Sequence, residues 1–271
     1  MTVASPTIAV IGGSGLYSFF ESDDAAAAPE QRTVATPYGS VSVSIGRVGE
    51  RTVAFLPRHG GGHSVAPHLI GYRANIWALR SLGVRAIVST AAVGGLHESY
   101  PPGSFALPDQ FLDRTWGREQ TFFDEDSVQH LSLAEPFCPQ LRAIALEAAE
   151  VPLIPTATVA VIQGPRFSTR AESASLLASG AHLVNMTLSP EVPLAAELGI
   201  GTVTLAYVTD SDAAPAEERL SAELVFRRLA EAQPRIIASL TRIVEAIPED
   251  YARDDLLSAE AVDAVLARAP R

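Results

Sequence analysis

Short apolar runs alternate with stretches of helical spacing along most of this chain, and several runs end on glycine or other small residues. Residues 7–11 are apolar and stop at Gly12-Gly13. A run this short, bounded by glycine, reads as a buried strand rather than a helix. Residues 41–45 and 53–56 are β-rich with Gly46 and Gly49 between them, which predicts a hairpin. Leu69, Tyr72, Ile76, Leu79 and Leu82 follow helical spacing and Gly83 supplies a stop, predicting a helix over 69–82. Further strands are predicted at 86–89, 159–162, 183–186 and 201–208, separated by helical patterns around 141–149, 170–179 and 190–198. A long helix over 221–246 follows, which Pro234 is expected to break or kink, and then a short amphipathic helix over 258–268. The segment 23–28 is expected to be a mobile loop. Strands alternating with helices predict one α/β domain spanning residues 1–271.

Composition narrows the function classes. With 47% hydrophobic and 19% charged residues the chain can fill a core. A net charge of −11 argues against a nucleic-acid binder, which needs many phosphate-neutralising cations. A small anion held by a few local donors remains open. All 20 basic residues are arginine, so a lysine Schiff base and a Walker-type lysine are both excluded. A single cysteine, Cys138, rules out an intrachain disulfide and a cysteine zinc cluster. The N-terminus has no basic region followed by an apolar one and no segment approaches a membrane span, so a soluble cytoplasmic protein is expected.

Three strand exits carry residues suited to an anion and a sugar. The first is Gly12-Gly13-Ser14-Gly15-Leu16, where small residues let backbone N–H groups approach an anion and the hydroxyl adds a donor. A dinucleotide fingerprint fits poorly here, since Ser18 stands where a third glycine or an alanine belongs. A plain glycine turn fits equally well. The second exit is Pro57-Arg58-His59-Gly60-Gly61-Gly62-His63-Ser64. Arginine can grip an oxyanion in bidentate fashion and histidine can donate to it or move a proton. A zinc reading of His59, His63 and His68 competes, but no cysteine is near and the glycines indicate a loop rather than a ligand-bearing helix. The third is Ser89-Thr90-Ala91-Ala92-Val93-Gly94-Gly95-Leu96. Three such exits in one α/β chain point to a ligand at the carboxyl ends of the strands. The pair Asp210 and Asp212, after the run at 201–208, reads at this level as a metal, heterocycle, proton-donor or helix-cap motif.

Taken together, IGGSGL (11–16), PRHG (57–60), YRANIWAL (72–79), QGPRFSTRAES (163–173), NMT (185–187), PE (190–191) and TDSD (209–212) resemble the purine nucleoside phosphorylases, and among them the 5'-methylthioadenosine phosphorylase branch. The ordered series runs from about residue 8 to 246. The resemblance implies one α/β domain with a mixed, partly barrel-like central sheet, a homotrimer, and no metal or organic cofactor, with inorganic phosphate as co-substrate. It implies that Ser14, Arg58, His59 and Thr187 bind phosphate together with the backbone N–H of Ala92. Met186 would lie against the ribose and Phe167 would stack on the purine. Asp210 and Asp212 would face the purine N7 and its 6-amino edge. Val225 and Phe226 would wall the 5' pocket, to which His130 would be added from a neighbouring subunit, and His63 would serve phosphate or a gate. Outside the series, Phe167 reads as core, His130 as a surface loop residue and Met186 as packing. Arg166 and Arg170 with Glu172 are expected to form an ion-pair network apart from the site. Two positions depart from the relatives: Ala91 where they carry a hydroxyl, and Gly71 where an asparagine is common.

The implied reaction splits a purine nucleoside with phosphate into the free base and a ribose 1-phosphate. Asp210 is the candidate proton donor to N7, Asp212 orients the base, and His59 assists at the phosphate. Carboxylates accept from a 6-amino group and would face an acceptor on a 6-oxopurine, so 6-aminopurines are the expected substrates. Adenosine, 5'-methylthioinosine, other purine nucleosides and a 5'-halogenated 5'-deoxyadenosine are the alternatives within the family. An NAD-dependent oxidoreductase using IGGSGL and a non-catalytic nucleoside-binding protein are the alternatives outside it.

Overall fold

A computed structural model describes residues 5–270 except 14–15, 17–19, 21–27, 61, 63, 126, 212–220 and 254. Ser14, His63, Asp212 and most of the expected loop at 23–28 therefore lie outside the described residues. Four strands come first: β1 (Ile8–Gly12), β2 (Glu30–Thr36), β3 (Gly39–Val48) and β4 (Arg51–Pro57). Helix α1 (Tyr72–Ser81) leads to β5 (Ala86–Gly95), the short β6 (Phe105–Ala106) and β7 (Gln110–Arg114). After α2 (Pro139–Ala148) come β8 (Leu153–Ile154), β9 (Thr158–Ile162), α3 (Arg170–Ala178) and β10 (Leu183–Asn185). The chain continues through α4 (Leu188–Glu197), β11 (Gly201–Ser211), α5 (Ala222–Ala246) and α6 (Ala259–Leu266).

These strands form one mixed sheet in the order β2-β3-β4-β1-β5-β10-β9-β7, with β11 pairing β5 and leading through β6 to β8. Strand β5 is the junction, since it pairs parallel with β1 over Ala86–Ser89 and with β11 along its length, and meets β10 antiparallel at Gly94 and Gly95. The continuous apolar runs follow from burial on both faces. On β1, Ile8 and Val10 enter a core with residues of α2 and α5, while Ala9 and Ile11 enter another with α1, α4 and α6. Strand β2, the edge partner of β3, alternates between exposed and half-buried residues, and its lack of an apolar run hid it from the sequence reading.

The structure corrects four boundaries. Helix α1 starts at Tyr72 rather than 69, because Pro67–Leu69 form a single tight turn and Ile70 is extended (φ −62°, ψ 132°). Strand β5 continues to Gly95, so the stretch expected to be a strand exit is itself strand. Strand β11 runs to Ser211 rather than 208 and carries Asp210 on it. Pro234 neither ends nor divides α5. Pro234 and Ala230, whose carbonyl loses its helical donor, are both exposed, so water can serve that carbonyl. The buried positions Ala232, Ile236 and Leu240 keep the helix on the sheet across the proline. No helix among the described residues is long and apolar enough to cross a membrane.

Candidate functional site

The register of the parallel strands puts the turns after β1 and β4 beside the middle of β5. Gly12 of β1 lies beside Pro57 of β4, and Ile11 lies beside Ser89 of β5. Gly13 and Arg58 therefore leave adjacent strands side by side, next to Thr90 within β5. They are bound to one another: the Gly13 N–H donates to Thr90 Oγ1 at 3.3 Å, the Arg58 N–H donates to the Gly12 carbonyl at 3.1 Å, and Arg58 Nη1 donates to the Thr90 carbonyl at 3.2 Å. Thr90 thus braces both loops.

Arg58 is the most buried arginine among the described residues. Its side chain and that of Glu191 are 1% and 4% exposed, and the guanidinium Nε and Nη2 donate to the two carboxylate oxygens at 2.5 and 2.6 Å. Burial opposes the guanidinium charge, but the Glu191 carboxylate overcomes it and holds Arg58 protonated above its ordinary range. Three of the five N–H groups are spent on Glu191 and Thr90. The remaining two have no protein partner among the described residues, and Arg58 lines a cavity of about 260 Å³.

His59 follows on the same loop, with Nδ1 2.8 Å from the Val65 carbonyl. A carbonyl only accepts, so Nδ1 carries the proton and the tautomer is set. At the end of β10, Asn185 holds the opposite wall. Its Oδ1 accepts from the N–H of Thr187 at 2.7 Å and of Leu188 at 2.9 Å, and its Nδ2 donates to the Ala92 carbonyl at 3.1 Å. One side chain therefore fixes Thr187 against Ala92. Met186 packs on Gly164, whose φ of +65° is left-handed; a Cβ there would stand 2.6 Å from Met186 Sδ, so no side chain fits.

Asp210 reaches the cavity through a bulge. Val208 pairs with Val93 but Asp210 pairs with Gly94, so Thr209 is an extra residue in β11. In an unbroken strand Asp210 would share the face of Val208, which is fully buried in the core. The bulge turns it to the cavity instead. Thr209 Oγ1 donates to Asp210 Oδ1 at 2.6 Å, and Gly94 makes room for Oδ2, since a Cβ at that glycine would lie 2.9 Å from it.

Of the residues expected at a site, Arg58, His59, Ala92, Phe167, Met186, Thr187, Asp210, Val225 and Phe226 all line this one cavity, as does Ala91. The anion-suited residues Arg58, His59 and Thr187 stand with Gly13 and Ala92, while Val225, Phe226 and Leu229 give an apolar wall from α5. Phe167 remains 39% exposed. His130 does not line the cavity and is exposed on the surface segment after residue 126. The Arg166–Glu172 pair forms at 2.7 Å on the surface, and Glu172 also closes the capping box of α3 with Thr169, while Arg170 lies outside that pair. Among the described residues no group of three or more His, Cys, Asp or Glu side chains is placed to hold a metal ion.

A family profile described as "Phosphorylase superfamily" matches residues 7–245. The chain belongs to the phosphorylase superfamily. Within the family, the S-methyl-5'-thioadenosine phosphorylase of Thermofilum pendens is 44% identical over 248 residues, covering 90% of this chain and 93% of that protein. A purine nucleoside phosphorylase of Streptomyces coelicolor is 47% identical over 261 residues, covering 91% of each. Among solved structures, a methylthioadenosine phosphorylase from an antarctic soil metagenomic library superposes with a TM-score of 0.86 at 34% identity, over 98% of this chain and 100% of that one. The mixed-sheet α/β domain is that of the nucleoside phosphorylases.

Sequence reasoning gave no role to three residues that shape the site: Glu191, Asn185 and Thr209. Glu191 and Asn185 lie inside quoted motifs, but their partners are 133 and 93 residues away in the chain. The useful signal was a lone acid and a lone amide in otherwise apolar stretches, since buried groups of this kind need partners.

Proposed function

We propose that this protein cleaves 5'-methylthioadenosine with inorganic phosphate, giving adenine and 5-methylthioribose 1-phosphate. The observation that carries the reading is the single cavity in which Arg58, His59 and Thr187 face the same space as Phe167, Asp210 and the apolar α5 wall. Arg58, His59, Thr187, Ser14 and the backbone N–H of Ala92 hold the phosphate. Met186 meets the ribose with its main chain, and Phe167 stacks on the purine. Breaking the glycosidic bond leaves positive charge on the sugar and negative charge on the base. The fixed phosphate stabilises the first and then forms the new bond at C1'. Asp210 gives a proton to N7 of the departing base, and Asp212 accepts from the 6-amino group. The chemistry needs no metal or organic cofactor.

Val225 and Phe226 favour a methylthio group over a hydroxyl by about 1–3 kcal/mol, the usual worth of one apolar contact. A second reading keeps the reaction and takes purine nucleosides with a 5'-hydroxyl; the similarity to the purine nucleoside phosphorylase of Streptomyces coelicolor favours it. Release of purine from 5'-methylthioadenosine, 5'-methylthioinosine and adenosine, each with and without phosphate, decides between them. The first is expected to react fastest and only with phosphate. Cleavage that ignores phosphate removes the proposal, and a preference for adenosine installs the second reading.

The working form is a homotrimer in the cytoplasm, with His130 of each subunit completing a neighbour's 5' pocket. Sedimentation should give three times the 28.6 kDa chain mass. A monomer at assay concentration takes the role from His130.

A further inference from the structure

We propose that Arg118, which does not line the cavity, is the positioning residue for its nucleoside end. The inference rests on the phosphorylase reading. Arg118 is half-buried behind the wall made by Pro67, the 163–167 loop and Met186. Its Nη1 donates to the carbonyls of Met186 at 3.0 Å and Ser189 at 2.6 Å, and to Tyr72 Oη at 3.2 Å. Its Nη2 donates to the Gln163 carbonyl at 2.8 Å, and its Nε to Gln163 Oε1 at 3.2 Å. Tyr72 Oη passes the tie onward by donating to the Pro67 carbonyl at 2.8 Å.

One planar guanidinium therefore joins every segment of that wall. Gln163 begins the loop that carries Phe167, and its neighbour Gly164 is the residue packed on Met186 Sδ and on Pro67 Cγ. The Met186 carbonyl belongs to the main chain that meets the ribose in the proposed complex. Backbone carbonyls this close together need a forked donor, and arginine presents five N–H groups in a fixed plane. An ammonium cannot reproduce the fork. The phosphate end is held by other pairs, Arg58 with Glu191 and Asn185 with Thr187, and neither involves Arg118.

The test compares wild type with Arg118→Lys and Arg118→Ala in steady-state assays that vary nucleoside and phosphate separately, and in calorimetric titrations with adenine and with phosphate alone. Losing charge-assisted bonds to the wall should raise the nucleoside KM and the adenine Kd about tenfold or more. The phosphate KM should rise by a clearly smaller factor, because the Arg58–Glu191 and Asn185–Thr187 bonds that hold the phosphate residues do not use the Arg118 guanidinium. Guanidinium ion added to Arg118→Ala should recover part of the lost nucleoside affinity without affecting wild type. Unaltered nucleoside parameters in an active protein overturn this role alone. So does an equal loss at both substrates that guanidinium does not relieve, because general destabilisation would produce it. A wild type that releases no purine with phosphate overturns the function and this role together.

Discussion

Alanine at Glu191 is expected to abolish phosphate-dependent turnover and to destabilise the fold by about 3–5 kcal/mol, the usual cost of leaving one partner of a buried ion pair uncompensated. The pair itself is weak evidence for stability, since burying both charges is costly. Its value is geometric. Glu191 takes the Nε edge of Arg58 and the Thr90 carbonyl takes Nη1, so the guanidinium cannot rotate and its two remaining N–H groups have one direction. Without the carboxylate, a cation that is 3% exposed must find water or collapse onto another acceptor. Glu191→Gln separates charge from shape: it keeps one acceptor oxygen but opposes an NH2 group to the guanidinium. Thermal unfolding and the phosphate KM of both variants provide the check. The amide is expected to bind phosphate more weakly than wild type and to be more stable than the alanine variant. An alanine variant with wild-type melting and wild-type phosphate KM would remove Glu191 from the site.

Asparagine at Asp210 is expected to slow adenine release by about 10²–10⁴-fold, the range that loss of a positioned proton donor produces. It should also move preference toward 6-oxopurine nucleosides, because the amide carries two N–H donors for N7 and O6 whereas the carboxyl donates only while protonated. The structure makes the substitution clean. Thr209 Oγ1 can donate to an amide oxygen as it does to Oδ1, and Gly94 leaves room beside the other atom. Folding should be nearly unaffected, so the two effects can be read without a stability correction. Rates for 5'-methylthioadenosine and its inosine analogue, with melting temperatures alongside, test both. Unchanged turnover of the adenine substrate would end the proton-donor role.

Much of the site was legible as types of residue at strand ends. Arg58 and His59 beside glycines pointed to an anion without any contact being known, while the acidic pair after a buried run stayed open between a metal, a heterocycle, a proton donor and a helix cap. The ordered motifs then gave the family. What hid was whatever depends on pairing across the sheet. Val208 to Asp210 looks like the end of a strand and the start of a loop; the bulge at Thr209 shows only in the register with β5. Strand β5 was cut short for a related reason. Ala91-Ala92-Val93-Gly94-Gly95 has the composition of an exit, but the neighbours β11 and β10 pair with it and keep it extended. Pro234 misled in the opposite sense, because its penalty falls on an exposed carbonyl while the buried face of α5 is uninterrupted.

By itself the sequence determined the α/β class, the exclusion of lysine chemistry, of an intrachain disulfide and of a cysteine zinc cluster, and the groups available to an anion at the strand ends. Those follow from side-chain chemistry and local periodicity, which are properties of neighbours in the chain. Tertiary structure alone decided that Glu191 grips Arg58, that Asn185 ties Thr187 to Ala92, and that Asp210 turns out of the core. Each joins residues on different strands or helices, and the energy that fixes it is the cost of leaving a buried charge or amide without a partner. That cost exists only once packing has removed the water.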